Sequence, residues 1–316
     1  MMPGTVSGFF ASAVSAFFNV SDFRSSTVLT YRCALLSFFA YCTQQQIEKP
    51  EPVHLTAWRD ELLLSKRPAT VQTYLTVLKQ FFRWTASRNI YRDIGLGIRG
   101  LRIHRFSSRD FVPVSGIKKV LGRLWSAGRK RDYLMVVLMV CCGLRVSEVV
   151  RLDEDDLFRI GNRWVIAVHG KGRDGKSDTV TIDDGMARMM LNYLASRNRT
   201  DQKRKPFFVS EAYRNKGGRL SARTVSRIVK NALIDAGFRS ARLTAHSLRH
   251  SAVTLALQGG ASLQETQQFA RHSRLETTQI YAHNLERLKN RCSSLVMKMV
   301  FNAGKRFLPM GAYPPC

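Results

Sequence analysis

The chain has 316 residues, 50 of them Lys or Arg against 23 Asp or Glu, giving a formal charge of +27 and a pI near 10.6. Such an excess points to a polyanionic partner bound with steep salt dependence, nucleic acid first and an anionic membrane surface as the alternative. A hydrophobic content of 45% with only 9 prolines excludes a disordered chain, and the length leaves room for two domains, each with its own core.

The run from Phe9 to Val20 is apolar, but it lacks a basic leader and is too short to span a bilayer. It reads as a packed or oligomer-contacting helix. From Ser25 to about Arg88 two segments match at an offset of 43 residues: Thr27-Val28-x-Thr30-Tyr31-x-x-x-Leu35-x-x-Phe38-Phe39 and Thr70-Val71-x-Thr73-Tyr74-x-x-x-Leu78-x-x-Phe81-Phe82. Both have helical apolar spacing and an aromatic end. Two copies are too few for a solenoid and fit a small all-helical domain. Lys66, Arg67, Lys79, Arg83 and Arg88 are then phosphate-contact candidates, or surface charges that only solvate.

Between Ile94 and Phe111 the pattern breaks into Gly95, Gly97 and Gly100 with Arg99, Arg102, His104, Arg105 and Arg109, which suits an exposed interdomain linker. Pro113-Val114-Ser115 opens the second domain, with Ser115 as the expected helix cap. The helix from Tyr133 to Cys142 is apolar on nearly all sides, hence buried, and ends at Gly143. Trp164 to Val168 and Ser177 to Ile182 read as two strands around a turn that holds Lys171 and, in reserve, Lys176. A helix follows from Met186 to Leu194, then a basic loop with Arg197, Arg199, Lys203, Arg204 and Lys205. Ser221 caps a helix on which Arg223, Arg227 and Lys230 recur at i, i+4 and i+7. That stripe suits a major groove, a row of phosphates or a solvated face.

The chemistry concentrates between Ala245 and His283. His246 and Arg249 lie three apart on a helical pattern that Gly259-Gly260 ends. Ser262 with Glu265 forms the signature of a capping box for the next helix, which His272 closes. A short helix from Leu275 carries Tyr281, and a further helical pattern runs from Leu285 to Val300 before a loose tail. Hydrogen-bond donors, fixed cations and a nucleophile are what phosphoryl transfer without a metal requires.

His246-x-x-Arg249-His250, Arg271-His272 and Thr277-Thr278-x-x-Tyr281 resemble the motifs of the tyrosine recombinases, or phage-type integrases. Two more members of the set stand upstream in the family's order. Cys142-Gly143-Leu144-Arg145-Val146-Ser147-Glu148 looks like the first arginine motif, and Gly170-Lys171-Gly172 like the hairpin lysine. The resemblance implies a mainly helical chain with a small antiparallel β-sheet, arranged as a two-domain DNA clamp. A helical core-binding domain occupies residues 1–94, a linker 95–112, an α+β catalytic domain 113–300 and a tail 301–316. By the same resemblance the terminal helix docks on a neighbouring subunit, and strands exchange in a homotetramer on double-stranded DNA, with accessory DNA-bending proteins as further partners. One departure stands out: the family usually has glycine where this chain has Arg271.

The resemblance also assigns roles. Tyr281 attacks a DNA phosphodiester and forms a covalent phosphotyrosine, so that religation needs no ATP. Arg145 and Arg249 grip the non-bridging oxygens, Lys171 protonates the departing oxygen, His246 accepts or relays the tyrosine proton, and His272 donates to the phosphate. Glu148 is a structural partner of Arg145. No metal or cofactor is implied, and the six cysteines (Cys33, Cys42, Cys141, Cys142, Cys292, Cys316), which lack paired C-x-x-C spacing, fit reduced thiols in a cytoplasmic, nucleoid-associated protein. Integration or excision of a mobile element is the expected role, with chromosome or plasmid dimer resolution as the alternative. Competing readings are a topoisomerase-like or hairpin-forming relative, an architectural DNA-binding protein that keeps the fold alone, and a metal-dependent nuclease built on His246, His250 and His272, for which no matching carboxylate cluster is present. A membrane-surface role is disfavoured because the basic residues are spread over both domains.

Overall fold

The computed structural model describes residues 6–23, 25–102, 111–169, 175–197 and 205–289, together with 293, 295 and 299. The chain divides into two compact units, Met1–Phe106 and Ser107–Cys316.

Unit 1 is helical: α1 (Val6–Val20), α2 (Ser25–Gln44), α3 (Pro52–Ser65) and α4 (Pro68–Ser87). Proline opens α3 and α4 at a position where its missing N–H has no helical partner to lose. The matched segments become α2 and α4, which pack on each other. Their Phe-Phe pairs meet crosswise, Phe38 edge-on to Phe82 at 5.9 Å and Phe39 edge-on to Phe81 at 6.1 Å. The apolar N-terminal segment is a packed helix, with Phe10 and Phe17 of α1 buried in the same aromatic core and Phe10 stacked on Phe39 at 5.0 Å.

The glycine-rich stretch after α4 is exposed at Leu96, Gly97, Arg99, Gly100 and Arg102, as expected of a linker, yet it is also tied to unit 1. Ile94 and Ile98 belong to the unit 1 core, Lys79 Nζ donates to the Ile98 carbonyl at 2.6 Å, and the Leu101 N–H donates to Gln72 Oε1 at 2.5 Å. Small residues here let the chain lie close against α4: a Cβ on Gly95 would stand 3.0 Å from the Lys79 backbone. Residues 103–110 lie outside those described.

Unit 2 holds α5 (Val114–Ser126), α6 (Lys130–Cys141), α7 (Val146–Arg151), strands β1 (Leu157–Ile160), β2 (Arg163–His169) and β3 (Lys176–Ile182), then α8 (Asp184–Ser196), α9 (Ala222–Asp235), α10 (Ala245–Gln258), α11 (Leu263–Ala270) and α12 (Glu276–Lys289). The sheet is antiparallel in the order β1-β2-β3. Sequence reading missed β1, although Gly161-Asn162 is the two-residue turn that closes its hairpin, with Ile160 opposite Arg163. The cap of α5 is Pro113; Ser115, the expected cap, lies inside the helix. Ser221 and Ser262 cap α9 and α11 as expected. The mainly helical fold with a small antiparallel sheet is as the motifs imply, and α6 runs through the core with Leu134 to Val140 all buried. Among the described residues no helix is long and apolar enough to cross a membrane.

The aromatic core carries unit 1, so Phe81→Ala should destabilise that unit by about 3–5 kcal/mol, the cost of a buried Phe truncation. Denaturant unfolding followed by fluorescence should register this as an earlier transition for unit 1, with that of unit 2 unmoved.

Candidate active site

The site is built where α6 ends. Gly143 takes a φ of +57°, which is costly for any residue with a Cβ, and a Cβ there would stand 3.2 Å from the Phe269 ring. The chain reverses, and Arg145 becomes the N-cap of α7. Its backbone N–H donates to Glu148 Oε2 at 2.8 Å while its guanidinium pairs with Glu148 Oε1. Arg249, inward-facing on α10 and 3% exposed, donates to the carbonyls of Gly143 and Ala270.

Arg271 completes the cluster, a part that motif reading left open. It caps the C-terminus of α11 in the left-handed conformation, φ +50° and ψ +47°, where a residue without a Cβ is at ease; hence glycine is the usual choice. Here the guanidinium offsets the strain. It donates to Glu148 Oε2 at 2.8 Å, to the Gly143 carbonyl at 3.0 Å and to the Phe269 carbonyl at 2.9 Å. Its own carbonyl accepts from Arg145 Nη2 at 2.9 Å. Two guanidiniums, those of Arg145 and Arg271, thus share the Glu148 carboxylate, and Arg249 stands beside them on the carbonyls of Gly143 and Ala270.

Burial alone would raise the Glu148 carboxyl, but Arg271 and the backbone and guanidinium of Arg145 outweigh it and hold it below the ordinary value. Burial, followed by the neighbouring charges of Arg145 and Arg271, pushes Arg249 down to about 9, which leaves it a cation at neutral pH. The surplus positive charge is set to hold an anion.

His272 follows Arg271 directly. Its Nδ1 lies 3.0 Å from the hydroxyl of Thr278, a fully buried residue of α12. Burial first, then the charges of Arg249, Arg145, Arg271 and His246, push its imidazole down to about 4, so it is neutral at pH 7. In the tautomer whose Nδ1 accepts from the Thr278 hydroxyl, the ring hydrogen is on Nε2 and is available to donate.

Tyr281, one turn past Thr278 on α12, reaches the same cluster in the same chain. Its hydroxyl hydrogen-bonds His250 Nδ1, its ring lies 6.4 Å from that of His272, and it is near enough to Arg249 to act on that residue's charge. His246 is exposed, with its ring 4.3 Å from the His250 ring. His250 is the contact that motif reading missed; its signal was the i, i+4 spacing from His246, which puts both on one face of α10.

Other sequence candidates divide. Lys171 lies outside the described residues. Lys176, the reserve lysine, opens β3 and is committed to Asp153 at 3.0 Å and to Asp156, so it acts as a structural cation. Of the α9 stripe, Arg223 and Arg227 are exposed, whereas Lys230 donates to the carbonyls of Ser240 (2.6 Å) and Leu243 (2.9 Å), holding the loop that leads into α10. In unit 1, Arg83 is exposed and Lys79 is tied to Ile98. Among the described residues no group of three or more His, Cys, Asp or Glu is arranged to hold a metal ion.

Two outcomes test this geometry. Arg271→Gly relieves a backbone strain of about 1–2 kcal/mol but removes one partner of a buried ion pair, a loss of about 3–5 kcal/mol. The variant should therefore be less stable by roughly 2 kcal/mol in denaturant unfolding, and equal or greater stability would refute the offset. For His272 the folded pKa lies below the unfolded one, so the unfolded chain binds the extra proton between them. Its contribution to stability is complete above about pH 6.5, the ordinary histidine value, and is lost as pH falls towards about 4. His272→Gln should flatten that part of the stability profile.

Comparison with known proteins places the chain in a family. Residues 117–287 match the phage integrase family and residues 17–89 the N-terminal SAM-like domain of phage integrases. The chain is 29% identical over 277 residues to a tyrosine recombinase of Pseudothermotoga lettingae, covering 86% of this chain and 92% of that protein. It is 33% identical over 175 residues to the tyrosine recombinase XerC of Caldanaerobacter subterraneus subsp. tengcongensis, spanning 55% of this chain and about half, 47%, of that relative. A solved structure of the XerH site-specific recombinase bound to palindromic difH substrate, a post-cleavage complex, superposes with a TM-score of 0.72 at 21% identity, covering 86% of this chain and 80% of that one, a likeness of fold. With more than half of its length matched by the family model, the chain belongs to the phage integrase family.

Proposed function

We propose that the protein is a site-specific recombinase that cleaves and rejoins DNA through a covalent 3′-phosphotyrosine at Tyr281. The observation that carries this reading is the delivery of the Tyr281 phenol, by its own chain, to the cluster of Arg145, Arg249 and Arg271 around Glu148. The phenol oxygen bonds to phosphorus, the bond to the 5′ oxygen breaks, and that oxygen leaves as a hydroxyl. Arg145 and Arg249 neutralise the charge that grows on the non-bridging oxygens, with His272 Nε2–H as a neutral donor beside them. Lys171 is the proposed acid for the leaving oxygen. Because the phosphate stays in an ester, the reversal needs only a 5′-hydroxyl from the same or another strand.

In this reading the partner is double-stranded DNA carrying specific sites, bound by a homotetramer with accessory DNA-bending proteins, and the protein works in the cytoplasm on the nucleoid. Arg83, Arg223 and Arg227 are the exposed phosphate-contact candidates, while Lys79 and Lys230 act through the backbone carbonyls they hold. Integration or excision of a mobile element fits the high net charge. The Xer names of curated relatives favour a second reading, resolution of chromosome or plasmid dimers. Plasmids bearing one site, two sites in direct repeat, or a site on each of two molecules distinguish the two by the products that accumulate.

A nicked suicide duplex, which loses its leaving strand after cleavage, should trap wild-type protein covalently. Tyr281→Phe should retain DNA affinity and yield no adduct. Arg145→Lys, which keeps the charge but loses the planar fork, should slow adduct formation by about 10²–10³-fold, the usual effect of losing one transition-state donor. An undiminished adduct in Tyr281→Phe would end the assignment.

A further inference from the structure

The imidazole in contact with the attacking hydroxyl belongs to none of the positions to which the motifs give a role. His250 stands one residue past Arg249 on α10 and is 4% exposed. Its Nδ1 hydrogen-bonds Tyr281 Oη, and the two rings lie 5.3 Å apart, tilted by 34°. The same ring meets His246 edge-on at 4.3 Å. The two histidines are four positions apart, about one turn, so the helix itself brings them together. The buried His250 ring therefore contacts both the exposed His246 and the half-buried Tyr281.

We infer that His250 is the base that takes the Tyr281 proton during attack, with His246 a neighbouring ring rather than the immediate acceptor. This rests on the recombinase reading above. The electron pair of Oη forms the bond to phosphorus, its proton moves to His250 Nδ1, the bond from phosphorus to the 5′ oxygen breaks, and that oxygen takes a proton from a separate donor. In religation a 5′-hydroxyl attacks, and His250 returns the proton to the departing phenol, so the base of one step is the acid of the reverse. Three features suit His250 to this. It touches the reacting atom, it is shielded from bulk water, and it is fixed on the same helix as Arg249, which binds the phosphate under attack. His246, exposed at the rim, is the less shielded of the two.

The test is single-turnover adduct formation by the full chain on the suicide duplex. Wild-type protein that binds its site but forms no adduct sinks the recombinase reading itself, before the base is in question. Given a wild-type adduct, His250→Asn places an amide oxygen near the position of Nδ1, so the phenol keeps a hydrogen-bond acceptor but loses a base. The expected result is unchanged DNA affinity with adduct formation slowed by about 10²–10⁴-fold, the usual contribution of general base catalysis. His250→Ala should be equally slow and should recover part of its rate with added imidazole, and His246→Ala should lose much less. A wild-type rate in His250→Asn overturns the inference, because holding the phenol would then suffice. If His250→Asn does not fold, His250→Ala decides, and a rate that does not respond to imidazole overturns the inference as well.

Discussion

A buried carboxylate shared by two guanidiniums, with a third close by, constrains everything around it. Glu148 is 3% exposed and pairs with Arg145 and Arg271, while Arg249 is anchored to the carbonyls on either side. Placing a carboxylate in the interior is expensive and is repaid only by well-formed partners. Glu148 has them in its own α7 cap and in two cations from separate elements. The same bonds hold the turn after α6, the start of α7, the middle of α10 and the end of α11 at fixed separations. The cations repel one another, and one carboxylate does not balance three of them. A bound phosphodiester relieves that repulsion, so the cluster is ordered by a structural anion and completed electrostatically by a substrate anion.

α10 shows how one helix serves both packing and chemistry. Leu248, Ala252 and Val253 fill the core, and Arg249 and His250 are buried with them. Each polar side chain buried there has a partner: a backbone carbonyl for Arg249 and the phenol for His250. Burial raises the cost of an unmatched charge and strengthens a matched one, which suits a site that must recognise charge in a growing transition state.

Much of this was legible in the sequence because local rules decided it. Ser262 with Glu265, Ser221, the apolar run of α6 and the break at Gly143 mark helix ends through backbone hydrogen bonds that need no distant partner. The crosswise Phe pairs of α2 and α4 appeared as an internal match. What stayed hidden depended on tertiary contact. The stretch 95–102 has a linker's composition, yet Ile98 reaches the unit 1 core. Lys176 and Lys230 look like surface cations until Asp153, Asp156 and the carbonyls of Ser240 and Leu243 are brought to them. Arg271 looks like an awkward replacement for glycine until Glu148 stands beside it, and His250 is a motif position without a role until α12 brings Tyr281 to it.

The contact between His272 and Thr278 has a mechanical consequence. Thr278 and Tyr281 lie three residues apart on α12, within one turn. A displacement of that helix that withdraws the phenol also pulls the hydroxyl from His272, freeing the ring to rotate and to change its tautomer. In the proposed mechanism, nucleophile and neutral donor are therefore geared together: the protomer arms both or neither, and a half-assembled centre able to cut without holding the cut end does not arise from sliding α12.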